Sequence, residues 1–368
     1  MSDWFAVQNA EEIPSPALLL YPERIRENIT RMVRISGGTD RLRPHIKTHK
    51  LPEVVRMQLE AGITKCKCAT IAEAEMAATA GARDILIAYP IVGPNCRRLL
   101  DLANKFRENS FSCLADDPSA VGFLSKTFEN SGAKIEVLLD IDCGQHRTGI
   151  QPGAAAIALY RLLATSPGLR PGGLHVYDGH IHETNLTKRT ELCAAAFGPT
   201  HAFRDTLLSA GLALPRIVAG GTPTFPIHAR NETFECSPGT CVLWDQGYAS
   251  RFTDMDFLIA ALVLTRVVSK PGTNRLCLDL GHKAIASENP PPRVHFLNVP
   301  DATAVSHSEE HLVIETSRAE QFVVGDCLFG APLHICPTVA LHSEAVVIRD
   351  GRATERWRVT ARERRLTV

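Results

Sequence analysis

The sequence has no excess of charge of either sign and no long apolar run. Its 368 residues carry 40 Lys and Arg against 40 Asp and Glu, so the formal net charge is zero. Broad binding to nucleic acid or to anionic membranes needs a basic surplus, so both classes of partner are disfavoured. The longest apolar run, 257–264, is too short to cross a bilayer. The composition is that of an ordinary soluble globular protein, long enough for more than one typical domain.

The first residues, MSDWFAVQNAEEIPSP, lack a basic segment followed by an apolar stretch, so we predict no secretory signal. The 11 cysteines are an odd number and are scattered along the chain. A secreted disulfide framework is usually denser and even in number. The closest pair, Cys66 and Cys68, lies in an apolar stretch where buried cysteines are common. We therefore predict a reducing, cytoplasmic location.

Short apolar runs alternate with segments of helical spacing through the first two thirds of the chain. Eight of these runs are predicted to be strands: 17–20, 42–46, 63–69, 85–88, 111–114, 135–141, 174–177 and 217–219. Regular alternation of this kind predicts parallel strands joined by crossover helices. Eight such units in roughly 230 residues favour a (β/α)8 TIM barrel. A doubly wound open sheet is the alternative.

The pattern changes after about residue 250 and predicts a second domain. Six short, often β-branched segments follow, separated by turn signals: 276–280, 294–297, 312–315, 322–328, 345–348 and 356–360. No long helical pattern lies between them, which favours an all-β domain. We therefore predict an α/β protein with a barrel over 1–248 and a C-terminal β domain over 249–368. Residues 1–14 are free in this scheme to pack on the β domain.

Polar segments follow several predicted strands, at the carboxyl ends where both barrels and open sheets bind their ligands. RPHIKTHK, at 43–50, contains Lys47. If burial and neighbouring cations lower its pKa, this amine can attack a carbonyl carbon; a solvated basic loop is the alternative. AGGTPT, at 219–224, offers paired glycines and threonine hydroxyls to a phosphate. SPGT, at 237–240, could complete that cradle, whereas a plain turn is the simpler interpretation.

Three further segments carry groups with possible chemistry. DCGQHRTG, at 142–149, contains Arg147, which can bind an anionic oxygen or form an ordinary surface ion pair. HVYDGHIH, at 175–182, gathers three histidines and Tyr177 at a strand end, where histidine serves as a general base or metal ligand. In HICP, at 334–337, an extended chain would point His334 and Cys336 to one side. They could bind one cation such as Zn²⁺, or be a buried cysteine beside a polar histidine.

In this order, RPHIKTHK, DCGQHRTG, HVYDGH, AGGTPT, SPGT and HICP resemble the D-threonine aldolase and D-serine dehydratase family, from about residue 15 onward. The resemblance implies a pyridoxal-phosphate enzyme of the alanine-racemase-like fold, a barrel plus a β domain, paired as a homodimer. It implies that Lys47 binds the cofactor covalently and that His334 and Cys336 hold a divalent metal, Zn²⁺ or Mn²⁺. The remaining implied cofactor-binding residues are His45, Arg147, Tyr177, Gly220, Gly221, Thr222, Gly239 and Thr240. Tyr177 is also implied to act in catalysis beside the cofactor ring.

The implied activity is that of a lyase on a D-3-hydroxy amino acid. In an aldolase a base removes the hydroxyl proton, the Cα–Cβ bond breaks, and glycine and an aldehyde form; we predict His180 as this base and His182 as the second choice. In a dehydratase Lys47 removes the Cα proton, hydroxide leaves with help from the metal, and a 2-oxo acid and ammonia form. The His-x-Cys pair is closer to the dehydratase pattern, whereas the histidine-rich segment suits the aldolase. We favour the aldolase.

Three other functions remain open at this point. An amino-acid racemase of the same fold would need two bases and no metal, so a chelator would discriminate it from either lyase. A pyridoxal-phosphate carrier would bind the cofactor without turnover, although the β domain argues against it. A metal-dependent hydrolase would keep its activity without Lys47. The segment DLGHKA, at 279–284, matches a less characterised branch of the family and has no assigned role.

Overall fold

The fold is described from a computed structural model, which covers residues 3–368. The chain divides into two compact units. The barrel unit contains residues 32–47, 52–239 and 363–368, and the sheet unit contains residues up to 31 together with 48–51 and 240–362. No described helix is both long and apolar enough to cross a membrane. Within the same residues, none of the cysteines forms a disulfide.

The first strand of the chain, β1 (Ala17–Leu20), lies in the sheet unit, and the barrel unit follows with a parallel sheet of seven strands. In spatial order these are β2 (Lys65–Cys68), β3 (Asp84–Pro90), β4 (Ser110–Ala115), β5 (Ile135–Ile141), β6 (Leu169–Val176), β7 (Ile217–Ala219) and β8 (Phe234–Cys236). Because spatial order follows chain order, each connection is a crossover, as the alternating pattern predicts. Apolar side chains from four strands, Leu86, Leu114, Leu138 and Val218, pack together as one buried cluster.

Helices precede and connect the parallel strands. They are α1 (Pro22–Ser36), which contributes residues to both units, then α2 (Pro52–Glu60), α3 (Ile71–Ala80), α4 (Asn95–Lys105), α5 (Pro118–Glu129), α6 (Ala154–Thr165), α7 (Leu186–Ser209) and the short α8 (Phe225–His228). Local sequence fixes their ends. The Thr70 hydroxyl accepts from Glu73 N at the start of α3, and Gly81 ends that helix at a φ of 107°. Such caps satisfy backbone groups that the helix itself leaves unpaired.

The parallel sheet curls, and residues 42–45 span the gap between its first and last strands. Leu42 forms an isolated parallel bridge with Cys236 in β8, and His45 forms another with Lys67 in β2. We call this closure by residues 42–45 the seam of the barrel. The buried Arg43 guanidinium stabilises it by donating two hydrogen bonds to Asp84, of 2.7 and 2.9 Å, and one to Glu235, of 2.7 Å. The predicted α/β architecture of parallel strands with crossover helices is thus confirmed, as a curled, TIM-like half-barrel sheet of seven strands.

Two details of the predicted strand assignment are wrong. The run 17–20 was expected as the first barrel strand, but β1 pairs with strands of the other unit. All four of its residues are buried, and such a run suits the middle of either sheet. The run 42–46 forms only isolated bridges rather than a full strand. The prediction also missed β8. This strand has only three residues, one of them the charged Glu235, so its sequence shows no apolar periodicity.

The sheet unit contains a second, mainly antiparallel sheet. Its further strands are β9 (Ala261–Gly272), β10 (Arg275–Leu278), β11 (Val294–Phe296), β12 (Thr303–His307), β13 (Leu312–Glu315), β14 (Cys327–Pro332), β15 (Glu344–Arg349) and β16 (Arg352–Arg358). The order is β12-β13-β10-β9-β1-β15-β16, with β14 pairing to β9 and β11. The pairing of β1 with β15 is the parallel exception. The predicted β domain is confirmed as a mostly antiparallel sheet.

Two helices also belong to this unit, α9 (Gln246–Arg251) and α10 (Ile335–Leu341). The second corrects the expectation that HICP is extended. His334 has extended backbone angles and caps α10, whereas Cys336 lies in the first helical turn. Pro337 is compatible with this because a proline is tolerated in the first turn, where backbone N–H groups have no helical partner.

Candidate active site

A cavity of about 470 Å³ opens in the barrel unit, on the side of the carboxyl ends of the parallel strands. Its lining residues are His45, Lys47, Lys67, Ala69, Ala88, Tyr89, Pro90, Val92, Arg147, Thr148, His175 and Tyr177. Four of the predicted cofactor-binding residues, His45, Lys47, Arg147 and Tyr177, therefore meet in one cavity. Ligands of parallel α/β sheets bind at this edge.

Residues 42–45, which close the parallel sheet, lead directly into Lys47 and place it at the cavity. Lys47 lies in a short 3-10 turn, 46–48, and its backbone N donates to Nδ1 of His45 at 3.4 Å. His45 is anchored in turn, because its own backbone N donates to the Pro238 carbonyl at 2.9 Å. Burial, followed by the charges of Lys47 and Lys67, holds the pKa of His45 well below its ordinary value. His45 is therefore a neutral imidazole at physiological pH.

A histidine–carboxylate pair forms another part of the cavity wall. His175 Nδ1 lies 2.7 Å from Asp140 Oδ1, and both side chains are buried. Thr148 Oγ1 donates to the other carboxylate oxygen of Asp140 at 2.8 Å. Burial lowers the pKa of His175, although Asp140 partly opposes this. The pair holds one imidazole in a fixed orientation at the ligand cavity, an arrangement suited to proton transfer.

Tyr177 is held against backbone that only glycine permits. A Cβ at Gly179 would lie 2.2 Å from Tyr177 Cε1, and a Cβ at Gly221 would lie 2.9 Å from Cε2. Two cations face the same ring, with Arg147 Cζ at 5.1 Å and Lys67 Nζ at 5.8 Å from the ring centroid. The aromatic ring therefore links the glycine turn after β7 to the cationic part of the cavity.

In the predicted phosphate-binding turns, backbone N–H groups donate hydrogen bonds to threonine hydroxyls of the same segments. Gly221 N donates to Thr224 Oγ1 at 3.3 Å, and Gly239 N donates to Thr222 Oγ1 at 3.1 Å. Gly220 has a φ of 68°, and its N donates to the Val176 carbonyl at 2.9 Å. A phosphate that bound here would replace the threonine oxygens as acceptor for the N–H groups of residues 221 and 239. With the lysine and arginine of the cavity, these turns fit pyridoxal phosphate.

A buried network lies behind these turns. Asp178 accepts from Thr224 Oγ1 at 2.9 Å, and its other oxygen lies 2.6 Å from His228 Nε2. Cys193 completes the group, and the three could hold a metal ion by their proximity. Burial raises the pKa of the Cys193 thiol to about 12, so the thiolate needed for binding is disfavoured. We interpret the network as structural, fixing the Tyr177 turn to the glycine turn.

The two predicted catalytic bases lie elsewhere in the barrel unit. His180 and His182 are exposed and line a separate hollow with Ile181, Glu183 and Leu192. A Cβ at Gly144 would lie 2.9 Å from His180 Nε2, so this histidine packs against the loop after β5. Neither side chain lines the cavity of Lys47. The structure thus brings the predicted cofactor residues together without bringing these two histidines to the same cavity.

The predicted metal pair lies in the sheet unit. His334 and Cys336 are in hydrogen-bonding contact, and His334 Nδ1 lies 2.5 Å from Glu288 Oε1. Cys336 Sγ lies 3.2 Å from Thr48 Oγ1 and 3.5 Å from Thr240 Oγ1. Burial alone would raise the pKa of Cys336, but the hydrogen bond and charge of His334 lower it. A thiolate beside a histidine with a carboxylate partner is a donor set that fits a divalent metal.

The polar residues that sequence reasoning missed include Lys67 and Thr148 on the cavity wall and Asp140, which accepts from Thr148. Lys67 had a visible signal, since a lysine in the middle of a short strand between two cysteines has to be explained. His175 was noticed as one of three histidines but not selected. Its pairing with Asp140 joins β5 to β6, and only the parallel register of those strands reveals it.

The barrel with its lysine cavity, followed by a mainly antiparallel domain, defines an alanine-racemase-like protein. The family model described as alanine racemase, N-terminal domain, matches residues 21–246, and the putative serine dehydratase domain matches 260–348. More particularly, the chain belongs to the family of lyases that contains D-threonine aldolase and D-serine dehydratase, as its motifs predict.

The comparisons with individual proteins agree with this family. The chain is 31% identical to D-threonine aldolase from Arthrobacter sp over 95% of this chain and 93% of that protein. It is 27% identical to 3-hydroxy-D-aspartate aldolase from Paracoccus denitrificans (strain Pd 1222), over 95% and 92%. The crystal structure of D-threonine aldolase from Filomicrobium marinum superposes with a TM-score of 0.89 at 27% identity, covering 98% of each chain.

Proposed function

We propose that this protein is a pyridoxal-phosphate- and metal-dependent lyase that cleaves D-3-hydroxy amino acids of the D-threonine type into glycine and an aldehyde. The observation that carries the proposal is the cavity in which His45, Lys47, Arg147 and Tyr177 meet. Its location at the carboxyl ends of the strands suits a reactive amine presented to a bound ligand.

The residues implied to bind the cofactor have distinct roles in this proposal. Lys47 would bind pyridoxal phosphate covalently, and when bound the cofactor supplies an electron sink for charge on the substrate Cα. Arg147 would bind its phenolic oxygen, and Tyr177 would flank its ring. The neutral His45 would orient the Lys47 turn through the 3.4 Å contact with the Lys47 backbone. The turns at Gly220, Gly221, Thr222, Gly239 and Thr240 would bind its phosphate.

His334 and Cys336 would hold the divalent metal, Zn²⁺ or Mn²⁺. Such an ion binds a hydroxyl oxygen of the substrate and lowers the pKa of that hydroxyl. Glu288 supports this role because a carboxylate partner fixes the orientation of a ligating histidine. The metal identity would follow from elemental analysis of the purified protein.

The hydroxyl proton needs a base, and His180, then His182, are the residues proposed from the sequence. The geometry adds His175, which lies on the wall of the Lys47 cavity with Asp140 behind it. Alanine variants of the three histidines decide between them. Loss of a general base lowers kcat by about 10²–10⁴-fold, with the cofactor still bound. A variant with unchanged kcat eliminates its histidine as the base.

A D-3-hydroxy amino acid dehydratase is the second candidate. The His334–Cys336 contact supports it, because the His-x-Cys pattern is closer to that branch of the family. In that reaction Lys47 would take the Cα proton and hydroxide would leave. The 2-oxo acid and ammonia that form distinguish this reaction from retro-aldol cleavage.

Product analysis tests the proposal. Purified protein is incubated with pyridoxal phosphate, a divalent metal and D-threonine. Glycine with acetaldehyde is the expected result, whereas 2-oxobutyrate with ammonia would establish the dehydratase. Activity that survives EDTA and converts D-threonine into its Cα epimer, L-allo-threonine, would instead establish a racemase. Lys47→Ala is the control and should abolish turnover and the visible absorbance of lysine-bound cofactor. Light scattering would test the homodimer that the family resemblance supports, and the cytoplasmic location stays a prediction.

A further inference from the structure

We propose that Lys67 is a second ligand-binding lysine of this cavity, whose buried ammonium is the counter-charge for an anionic oxygen of the bound cofactor. The inference rests on the proposed function, because that function supplies an anionic ligand for the Lys47 cavity. It assigns to Lys67 the binding of charge and leaves the covalent role to Lys47.

The first argument is that Lys67 is buried without a carboxylate in direct ion-pair contact. Its side chain is 2% exposed, and Nζ donates to Ser237 Oγ at 2.5 Å. Across residues 3–368 it forms no ion pair with a carboxylate. The equally buried Arg43, by contrast, is paired with both Asp84 and Glu235. An ammonium removed from water without a counter-ion costs several kcal/mol, so an uncompensated lysine on a cavity wall indicates a missing anion.

The second argument concerns the charges around Lys67. The charged and titratable groups that face it are Lys47, Arg43, His45, His175, Asp140 and Asp178. Neither aspartate forms an ion pair with Lys67, because the oxygens of each are bound by other side chains. Asp140 is bound by His175 and Thr148, and Asp178 is bound by His228 and Thr224. Lys67 therefore faces both cations and carboxylates, but no carboxylate is in direct ion-pair contact with its ammonium group.

These surroundings also set the protonation of Lys67. Burial, followed by the like charge of Lys47, lowers its pKa to about 7, while Asp140 and Asp178 oppose this in part. An anion bound beside Nζ stabilises the protonated form and raises that pKa. Above pH 7 the free protein loses the Lys67 charge, and anion binding restores it by proton uptake. Affinity for the anion should therefore fall as the pH rises above 7.

The third argument is the position of Lys67 beside the proposed cofactor-binding groups. Its partner Ser237 donates to the Gly220 carbonyl at 3.1 Å, so a hydrogen-bond chain leads from Nζ to the glycine turn after β7. Its Nζ also lies 5.8 Å from the centroid of the Tyr177 ring. The glycine turn and Tyr177 both belong to the groups proposed to hold the cofactor, which supports an oxygen of that cofactor as the anion that Lys67 binds.

Binding measurements on Lys67→Met test the proposal without recourse to turnover. The probes are pyridoxal phosphate, pyridoxal, which lacks the phosphate, and pyridoxamine phosphate, which lacks the aldehyde and cannot bond to Lys47. A hydrogen bond to a charged group contributes about 1.5–3 kcal/mol, so pyridoxamine phosphate should bind at least about tenfold more weakly at pH 7. The matched control is Lys65→Met on the same strand, because Lys65 pairs with Glu235 and does not line the cavity.

The three probes identify the anionic oxygen. Weaker binding of both phosphorylated probes with unchanged binding of pyridoxal would assign Lys67 to the phosphate. Weaker binding of all three would assign it to the phenolic oxygen that they share. Equal affinities of Lys67→Met and Lys65→Met for every probe would overturn the proposal. If wild-type protein binds no pyridoxal phosphate at all, the proposed function fails instead.

Proton uptake on binding is a second readout of the same proposal. Calorimetric titration of pyridoxamine phosphate at pH 8, in two buffers of different ionisation enthalpy, gives the number of protons taken up. We expect net uptake in the wild type and in Lys65→Met, and its loss in Lys67→Met. Absence of uptake in the wild type would refute the protonation of Lys67 by the bound anion.

Discussion

The seam of the barrel should be unusually sensitive to loss of one side chain, Arg43. Its guanidinium is fully buried and forms three hydrogen bonds to carboxylates on two different strands, β3 and β8. Arg43→Met keeps much of the side-chain volume but removes the charge. Glu235 then retains Lys65, whereas Asp84 loses the guanidinium that held it.

The expected destabilisation follows from leaving carboxylates without their buried partner. Removal of one member of a buried ion pair costs about 3–5 kcal/mol. Arg97→Met is the matched control, because Arg97 is 74% exposed and pairs with Asp101 four residues along a helix. Such a pair contributes about 0.3–0.5 kcal/mol. Neutralising both partners, in Arg43→Met with Asp84→Asn and Glu235→Gln, should recover much of the loss.

Urea denaturation followed by circular dichroism measures these differences, and the transition of the barrel unit is the one compared. The pH dependence is a second readout. Burial alone would raise the pKa values of Asp84 and Glu235, but Arg43 holds both below their ordinary values. Their stabilising contribution is therefore present above pH 4 to 5 and is lost on acidification. If Arg43→Met and Arg97→Met lose equal stability, the seam is not held by this network.

Three further predictions concern other parts of the molecule. Gly221→Ala places a Cβ 2.9 Å from Tyr177 and should weaken binding of pyridoxal phosphate in an absorbance titration, whereas Gly198→Ala, with no atom within 4 Å, should leave it unchanged; equal affinities would contradict the packing argument. Burial lowers the pKa of His49 to about 3, so its contribution to stability should fall with decreasing pH below about 6.5, by up to about 1.4 kcal/mol per pH unit. His49→Asn should reduce that slope in urea titrations between pH 6.5 and 4.5, and an unchanged slope would refute the assignment. Cys336→Ala should lose bound metal by elemental analysis while still binding pyridoxal phosphate, and retained stoichiometric metal would eliminate Cys336 as a ligand.

The alternation of strands and helices could be predicted because each barrel strand pairs with its neighbour in the chain. Local periodicity cannot assign a strand to one of two sheets when the strand would be equally buried in both. The four residues of β1 are all buried, and nothing within them distinguishes the centre of an antiparallel sheet from a barrel. The opposite failure is β8, where Glu235 interrupts a strand of three residues because Arg43 and Lys65 neutralise its charge.

The candidate site divides in a similar way. Lys47, Arg147 and Tyr177 could be predicted because each lies in a polar motif at the end of a predicted strand, and this position can be seen in the sequence. The pair Asp140 and His175 depends on the parallel register of β5 and β6, which sequence spacing does not specify. Lys67 stands out in the sequence as a lysine between two cysteines in a short strand, but its burial at the cavity follows only from closure of the sheet.

The central place of β1 has a consequence for biosynthesis. Its neighbours are β9 and β15, both near the other end of the chain, while the barrel strands lie next to each other in sequence. At about 5–20 residues per second, β1 leaves the ribosome tens of seconds before β15 exists. A nascent chain thus exposes an apolar strand with both edges unpaired, a template for wrong pairing. Deleting β1 would leave β9 and β15 as open edges and detach the β15–β16 hairpin from the sheet. A strand that is translated before the barrel strands is thus needed to complete the second sheet, and that sheet cannot form until β9 and β15 have also been made.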